Sequence, residues 1–583
     1  MPSDSLSTGR VPAKMVYDIA IIGAGPCGLA MAARLSEQTP SALFTNDEHA
    51  RYWKKHKKQA NSLEQERRNR KASMDSGYGS EEEKARDMSS RPSMVVLDAD
   101  SKEWMATWKQ RFQNLKISHL RSPLFFHPDP SDRDGLLAFA HEQGRAEELR
   151  EIPNVVGKEL SKHEKKRQHS RKQARTTARH LRVDGRDQID YFTPSTALFD
   201  YYCDNIIKRY HLDGLVQQAK ITDIPYDPHG EGIEQGLFTL STSAEATLHS
   251  RIVIVASGAS SPPSIPNFHQ LPLPDQKRGS ITHVFASNGM NLPSHVQHKL
   301  TTTDPSNQIN ILVVGGGLTS AQLTSLFLSH DPRIHIHLLL RHSKLKCKPF
   351  DIDLPWVSKT RNHLMSTFWS ADSDSDRLSM LRASRNGGSI NPPFARLLKT
   401  YAEKGRLTIH TDTQLNLDES CTWNETLKLW THLTIHPPPC VPSTAHFPFA
   451  AGIDHIVCCT GAAPSFNAIP FLTTLRKSHP LATLGGLPVL NDELMWDDAV
   501  PCFFTGALAA LRLGPGAANL MGARVGAERV AWGVEGVLGQ GHVGPEIDGR
   551  STERKDMANA RSEFTGSFSN QFAALDAKGV EDG

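Results

Sequence analysis

The chain has 583 residues, and its 66 lysines and arginines are almost balanced by 63 aspartates and glutamates, which leaves a formal net charge of +3. So small a positive excess argues against a dedicated nucleic-acid-binding protein, whose binding domain would be strongly basic. At roughly 150 residues per domain the length allows two to four domains. With 38% hydrophobic residues, 41 glycines and 36 prolines, the composition indicates a globular protein with much polar, irregular chain.

The 8 cysteines are dispersed and include no CxxC pair. We therefore expect free thiols in a reducing compartment, and we predict no metal site. Residues 1–14 lack the apolar core of a secretory signal, and no uncharged run reaches the ~20 apolar residues that a membrane span requires. These features predict a cytoplasmic protein.

Apolar, β-branched runs that end in glycine recur along the chain, as is typical of buried parallel strands that lead into tight turns. Helical patterns alternate with them, which predicts an α/β protein with two Rossmann-like, doubly wound sheets. The predicted strands span 17–23, 252–258, 309–315 and 453–461, with another before Gly506, and the predicted helices span 29–36, 320–329 and 393–403.

Three polar segments do not fit this pattern. Residues 54–93 contain too few apolar side chains to offset the entropy of ordering, so we expect a disordered insertion. Residues 158–182 are rich in lysine and arginine and form either a nuclear-localisation or polyanion-binding patch or a solvated surface insertion. The lack of interleaved aromatic residues favours the surface insertion. Residues 541–583 are polar and aperiodic and are interpreted as a disordered tail.

The segment from Tyr17 to Ala30 has the pattern of a strand, a GxGxxG turn and a helix in direct succession. Gly23 permits the tight turn, Gly25 lets the backbone approach a pyrophosphate, and Gly28 lets the helix pack closely on the strand. Pro26 lies at the helix start, where free N–H groups favour phosphate. Together these residues predict a dinucleotide-binding site.

The next strand is predicted at 42–45, and its end should carry an acid that binds the ribose hydroxyls of the adenosine half. Asp47 is the first candidate for this acid and Glu48 the second. Simple exposure of either side chain to solvent is the alternative.

A second strand, glycine turn and helix lie at 311–322, with Gly315 and Gly317 at the first two glycine positions. Ser320 stands where the third glycine would be, which is tolerated when the helix sits further from the cofactor. The segment predicts a second nucleotide site.

The strand predicted at 334–340 ends in Arg341 and Lys344 rather than in an acid. A carboxylate there would select the free 2′-hydroxyl of NAD, whereas an arginine can pair with the 2′-phosphate of NADP. We therefore predict NADPH as the ligand of the second loop. Solvation of the strand end by these two side chains is the alternative.

Two short motifs, each a buried strand followed by glycine and proline, bracket the second loop and contain Gly258 and Gly461. Flavin and nicotinamide domains are interleaved through such crossovers, so the chain is divided accordingly. The prediction is an FAD domain at 15–260 and 455–540, and an NADPH domain at 261–454.

Near the end of this region a strand runs into Gly506, and a glycine and proline run through Gly516 indicates a helix start. A helix N-terminus directed at the flavin pyrimidine edge would stabilise negative charge on the reduced ring. An ordinary capped helix is the alternative.

In order and spacing, the motifs GAGPCGLA, VASGASSPP, VVGGGLTS, LRHSK and CCTGAAP resemble those of flavin monooxygenases with two dinucleotide-binding domains. Within that group the sequence is most similar to the N-hydroxylating branch, the L-lysine and L-ornithine N-monooxygenases. The resemblance covers residues 17–532 outside the two insertions.

This resemblance implies that NADPH reduces FAD, that O2 then gives a C4a-hydroperoxyflavin, and that one oxygen atom passes to a small nucleophile such as an amine or a sulfide. Retained NADP+ would shield that intermediate from water. The partners implied are a small-molecule substrate and O2, and the cofactor carries the reaction.

The sequence departs from the family pattern in two places. His283 follows a glycine as in related enzymes but without the flanking residues, so it is either a catalytic residue near the nicotinamide or an ordinary core or surface histidine. The segment 117–130 resembles a flavin-lining loop, which makes Arg121 and Ser122 candidate flavin neighbours. Because the amino-acid-binding residues of the family are not matched there, the substrate stays open.

Two other functions remain open. One is a flavin reductase or dehydrogenase with another electron acceptor, although the lack of CxxC removes the disulfide-reductase version. The other is a degenerate oxidoreductase that acts as a regulatory or interaction protein. Intact glycine loops favour an enzyme.

Overall fold

The computed structural model of the protein describes residues 16–37, 92–153, 155, 190–229, 236–258, 280–286, 289–302, 308–358, 360–385, 387–416, 421–436, 452–462 and 464–539. The candidate acids Asp47 and Glu48 lie outside these ranges, as do the basic segment 158–182 and the tail 541–583. Of the predicted insertion 54–93, only residues 92 and 93 are described.

Strands and helices alternate through these ranges. The strands are β1 (Val16–Ile22), β2 (Met94–Asp98), β3 (Leu149–Glu151), β4 (Phe192–Pro194), β5 (Val216–Gln218), β6 (Ile221–Asp223), β7 (Tyr226–Asp227), β8 (Leu237–Thr242), β9 (Thr247–Val255), β10 (Ile281–His283), β11 (Ile309–Val314), β12 (Ile334–Leu339), β13 (Leu407–His410), β14 (Gln414–Asn416), β15 (Thr422–Asn424), β16 (Leu429–His432), β17 (Thr434–His436), β18 (His455–Cys458), β19 (Thr483–Leu484), β20 (Leu487–Pro488) and β21 (Cys502–Phe504). The α-helices are α1 (Pro26–Ser36), α2 (Ala106–Asn114), α3 (Gly135–Glu142), α4 (Thr196–Arg209), α5 (Ser294–Thr301), α6 (Leu318–His330), α7 (Arg361–Trp369), α8 (Asp374–Arg385), α9 (Pro392–Glu403), α10 (Thr473–Ser478), α11 (Ala510–Leu513) and α12 (Leu520–Gly539). Among the described helices, none has the length and apolar character needed to cross a membrane.

The first sheet is built on a parallel core in the order β5-β2-β1-β9. β21 lies parallel to the C-terminal half of β9, and β8 lies antiparallel to its N-terminal half. Residues Ile19–Ile22 of β1 are all buried, because a central parallel strand is covered on both faces. The antiparallel strands β6, β7 and β8 were not predicted from the sequence.

The second sheet is entirely parallel, in the order β10-β18-β11-β12-β13. Alternate residues of β11 point to opposite faces, as the two-residue period of a strand requires. Ile311 and Val313 pack in the cluster that contains α6 and α9. Leu312 and Val314 pack in the cluster that contains Trp430 of β16. Hairpin strands therefore cover the face that the helices leave open.

The chain contributes β1, β2 and β5 to β9 to the first sheet, then β10 to β13 and β18 to the second, and returns to the first sheet with β21. The predicted α/β class with two interleaved sheets is therefore confirmed. Each predicted glycine-terminated strand has a counterpart in β1, β9, β11, β18 or β21.

The strand predicted at 42–45 lies outside the described residues; within the described ranges, β2 lies on one side of β1 and β9 on the other. One local prediction was wrong. The last helix begins at Leu520 rather than near Pro515, since Gly514 has φ +81° and residues 515–518 form turns.

The glycine loop after β1 is held by close packing of α1 on the strand end. A Cβ atom added to Gly28 would lie 2.0 Å from the carbonyl oxygen of Gly23. α1 also packs along α12, where Arg34 forms a buried, bidentate ion pair with Glu528, with Nη2 to Oε1 at 2.9 Å. The first and last helices of the first sheet therefore fix the loop between them.

We expect Gly28→Ala to destabilise the protein by about 2 kcal/mol or more, because the new methyl group overpacks the contact with Gly23. Gly536→Ala is the matched control, since its Cβ would meet no atom within 4 Å. That change, at an exposed position of α12, should stabilise by up to about 1 kcal/mol. Urea unfolding measures both, and equal stabilities of the two variants would refute the close approach of α1.

Candidate functional site

The first glycine loop joins β1 to α1. Its backbone contacts exclude a side chain at Gly23 but leave space for one at Gly25. Gly23 has φ +112°, donates its N–H to Leu97 O at 2.8 Å, and would place a Cβ 2.8 Å from Ala256 O. At Gly25 an added Cβ would meet no protein atom within 4 Å. Pro26 occupies the first turn of α1, as predicted. The loop is therefore closed towards the sheet and open beside Gly25.

The second glycine loop repeats this construction. Gly315 has φ +136°, donates to Leu339 O at 3.0 Å, and would place a Cβ 2.5 Å from Cys459 O. Gly317 faces open space. The hydroxyl of the buried Ser320 donates to Gly317 O at 2.6 Å, so the serine ties the start of α6 to the loop.

A cavity of about 530 Å³ opens at the second loop. None of the described residues that line it is acidic, and its basic residues are Arg341, His342, Lys344, Lys346 and Arg385. Burial, followed by the charges of Lys346 and Arg341, lowers the pKa of His342. The cavity is therefore suited to an anionic ligand, and the predicted Arg341 and Lys344 both line it.

Sequence reasoning missed the segment that closes this cavity from the other side. Gly388 lies directly on the loop, and a Cβ added to it would be 3.0 Å from Gly317 Cα. The Gly387-Gly388 pair was the available sequence signal, and it brings Arg385 into the lining.

The first loop has an acid beside it that was also missed. Asp98 ends β2, and its Oδ2 accepts the N–H of Ala24 at 2.9 Å. Its Oδ1 accepts the N–H of Asp100 at 3.0 Å. The sequence feature that could have indicated this acid is the apolar run of β2, which ends in Asp98. This run follows the long polar insertion instead of coming directly after α1.

Arg121 lies at a junction between distant segments. Its Nη2 donates to Lys348 O at 2.9 Å and to Phe350 O at 2.6 Å, and its Nη1 donates to Ser389 O at 3.2 Å. Burial lowers its pKa to about 10. The guanidinium is therefore engaged by protein carbonyls, although Arg121 and Ser122 both border a second cavity of about 190 Å³.

The crossover glycines occupy equivalent positions at the ends of β9 and β18. Gly258 has φ +69° and Gly461 has φ +75°, and both face open space. Gly506 lies against the first loop, because its added Cβ would be 3.3 Å from Cys27 Sγ. Gly516 lies in the turn before α12, packed against the Met521 side chain.

His283 is buried at the end of β10 and does not line the large cavity, although its neighbours Val284 and Phe285 do. Its Nδ1 accepts the N–H of Phe285 at 3.2 Å. Burial lowers its pKa, so the ring is neutral at neutral pH. The structure places it behind the cavity wall.

Arg121→Met should destabilise the ligand-free protein by about 2–4 kcal/mol, because several buried carbonyl groups would lose a charged donor. Arg396→Met, at an exposed position of α9, is the control and should change the stability by less than about 0.5 kcal/mol. Urea unfolding distinguishes them. An Arg121 that served only to contact a ligand would leave the ligand-free stability unchanged.

Comparison with solved structures places this arrangement among known folds. The reduced form of the ornithine hydroxylase PvdA from Pseudomonas aeruginosa aligns over 90% of this chain and 100% of its own, with a TM-score of 0.55 and 14% identity. The Kutzneria sp. 744 ornithine N-hydroxylase KtzI, in its complex with reduced FAD, NADP+ and L-ornithine, aligns over 89% of this chain and 99% of its own, with a TM-score of 0.53 and 14% identity.

L-lysine 6-monooxygenase from Pseudomonas syringae aligns over 90% of this chain and 100% of its own, with a TM-score of 0.53 and 16% identity. The chain has the fold of these hydroxylases. No protein-family model and no curated protein matches the sequence. The likeness confirms the predicted α/β fold.

Proposed function

We propose that the protein is an FAD- and NADPH-dependent monooxygenase that transfers one oxygen atom from O2 to a small nucleophilic substrate, with amine hydroxylation favoured. The observation that carries this proposal is the duplicated glycine loop. Each sheet presents one loop that is closed against its own strands and open on the outer side, at Gly25 and at Gly317. Two such loops suit a protein that brings two dinucleotides together.

The first loop fits FAD. The open side of Gly25 allows a pyrophosphate to reach the backbone, and the N-terminus of α1 favours its charge. Asp98 ends the neighbouring strand, where an acid binds the adenosine ribose. We therefore assign to Asp98 the role that the sequence suggested for Asp47 or Glu48. When bound, the flavin would supply electron transfer from NADPH and activation of O2.

The second loop fits NADPH, because its cavity is basic and Arg341 follows the strand end. A guanidinium there can bind the 2′-phosphate through two parallel hydrogen bonds. KtzI, which shares the fold, forms a complex with reduced FAD and NADP+ together. We accordingly propose 15–260 with 455–540 as the FAD domain and 261–454 as the NADPH domain.

His283 is proposed as a positioning residue, since it supports the cavity wall through Phe285. The described cysteines are free thiols, which favours a reducing, cytoplasmic setting. The proposed partners are O2 and a small molecule.

The proposal is tested with purified protein and a panel of amines, sulfides and ketones that includes L-ornithine and L-lysine. We expect bound flavin, substrate-stimulated NADPH oxidation and a product heavier by one oxygen atom. Oxidation of NADPH that yields peroxide without an oxygenated product would favour a reductase or oxidase. A colourless protein that FAD cannot reconstitute would refute both enzymatic functions.

Gly25→Ala and Gly317→Ala form a matched pair, because neither methyl group would meet a protein atom within 4 Å. Gly25→Ala should abolish FAD retention and leave NADPH binding intact, whereas Gly317→Ala should do the reverse. Flavin absorbance per polypeptide and NADPH titration measure the two effects, and thermal unfolding checks that both variants fold. Normal FAD content in Gly25→Ala would refute the assignment of the first loop.

Arg341→Ala should raise the KM for NADPH about tenfold or more, because a charged hydrogen-bond partner of the 2′-phosphate is lost. The KM for NADH should change little. Steady-state kinetics with both nucleotides measure the preference, with Arg396→Ala as the control for loss of an exposed arginine. An unchanged NADPH/NADH ratio in Arg341→Ala would show that another residue selects the cofactor.

A further inference from the structure

A short segment after α8 lies against the second glycine loop. A Cβ atom added to Gly388 would be 3.0 Å from Gly317 Cα and 3.1 Å from Gly317 N. Gly387 has φ +84°, a backbone conformation that favours glycine. A Cβ added to it would lie 3.2 Å from His342 Nε2. The backbone at this glycine pair therefore approaches both the start of α6 and the basic residues that follow β12.

The residues after this glycine pair are fixed by hydrogen bonds to other parts of the protein. Ile390 donates its N–H to Lys346 O at 2.8 Å and accepts the N–H of Lys348 at 2.9 Å. Arg121 donates from Nη1 to Ser389 O at 3.2 Å and from Nη2 to Lys348 O at 2.9 Å. The position of the glycine pair beside Gly317 is therefore set by the protein itself.

Arg385, the last residue of α8, adds a positive charge to this wall of the cavity of about 530 Å³. Its Nη2 lies 3.2 Å from Asp351 Oδ2 and 3.5 Å from Pro515 O. Its Nε and Nη1 donate no hydrogen bond to any residue that the structure describes. The side chains of Arg385 and Asp351 are 41% and 38% exposed, so solvent weakens their ion pair.

This wall of the cavity is suited to a diphosphate group. A dinucleotide places its pyrophosphate at the start of the helix that follows the glycine loop, where free N–H groups favour negative charge. Gly317, the residue before α6, is at that position and lines the same cavity as Arg385. A phosphate accepts two parallel, charge-assisted hydrogen bonds from one guanidinium. Arg385 has unused donors for such a pair.

We propose that Arg385 binds the pyrophosphate group of NADPH, whereas Arg341 binds the 2′-phosphate. The assignment rests on the function proposed above for the second loop. Binding replaces the ion pair between Arg385 and Asp351 by one between Arg385 and phosphate, so Asp351 competes with the ligand for the guanidinium. Loss of Arg385 should therefore weaken any dinucleotide, and loss of Arg341 only a dinucleotide that carries the 2′-phosphate.

The test is isothermal titration calorimetry of the FAD-loaded protein with NADP+ and with NAD+, which requires no turnover. Arg385→Gln should weaken the binding of both nucleotides about tenfold or more, because a charged donor to phosphate is lost. Arg341→Ala should weaken NADP+ alone. Arg396→Gln removes an exposed arginine of α9 and should bind both nucleotides as the wild type does.

Two results with Arg385→Gln would overturn the proposal. Wild-type affinity for both nucleotides would show that Arg385 does not bind the ligand. A loss confined to NADP+ would show that Arg385 binds the 2′-phosphate, and the assignment to the pyrophosphate would fail.

Asp351→Asn separates binding by Arg385 from structural support. If Arg385 only holds the cavity wall through its ion pair, removal of either partner should weaken NADP+ to the same extent. The proposed exchange predicts that Asp351→Asn binds NADP+ at least as tightly as the wild type, because a competing acceptor is removed. Equal losses of affinity in Asp351→Asn and Arg385→Gln would refute a direct contact with phosphate. So would a large fall in the unfolding midpoint of nucleotide-free Arg385→Gln.

Failure of the proposed function gives a different result. A wild-type protein that binds neither NADP+ nor NAD+ would refute the NADPH assignment of the second loop. Thermal unfolding with inorganic pyrophosphate then tests the anion site by itself. Greater stabilisation of the wild type than of Arg385→Gln would leave the site standing for another diphosphate ligand, and equal stabilisation would refute it.

Discussion

The whole arrangement depends on backbone meeting backbone at the two glycine turns. At each turn a strand end, a helix start and a crossover strand approach so closely that a single methyl group would collide with a carbonyl oxygen, at Gly23 with Ala256 and at Gly315 with Cys459. The same approach leaves Gly25 and Gly317 facing outwards. The close backbone packing at Gly23 and Gly315 therefore also leaves the backbone at Gly25 and Gly317 accessible to a ligand.

Local sequence was enough to predict these turns. The strands that lead into these turns are rich in β-branched residues and end in a buried segment, and glycine is needed where φ is positive, as at Gly315 with φ +136°. The basic residues after β12 were predictable for the same reason, since Arg341 and Lys344 directly follow the strand that positions them. Fold class and the glycine part of both sites therefore follow from neighbouring residues.

What the sequence did not reveal depends on contacts between distant segments. Arg121 donates to carbonyls more than 220 residues further along the chain, so its partners could not be inferred from its own segment. Asp98 was hidden because a long polar stretch separates it from α1. Hydrogen bonds between distant segments leave no periodic pattern in the sequence from which they could be predicted.

The insertion of the second sheet within the first also sets an order of assembly. During synthesis β10 to β18 are complete before β21 exists, so the second sheet can close while the first still lacks a parallel strand. The charge of Arg34 is paired only after Glu528, 494 residues later in the chain, has been synthesised. Until α12 has left the ribosome, the side of α1 that packs on it lacks its partner, so the contacts that hold the first glycine loop are completed only at the end of synthesis.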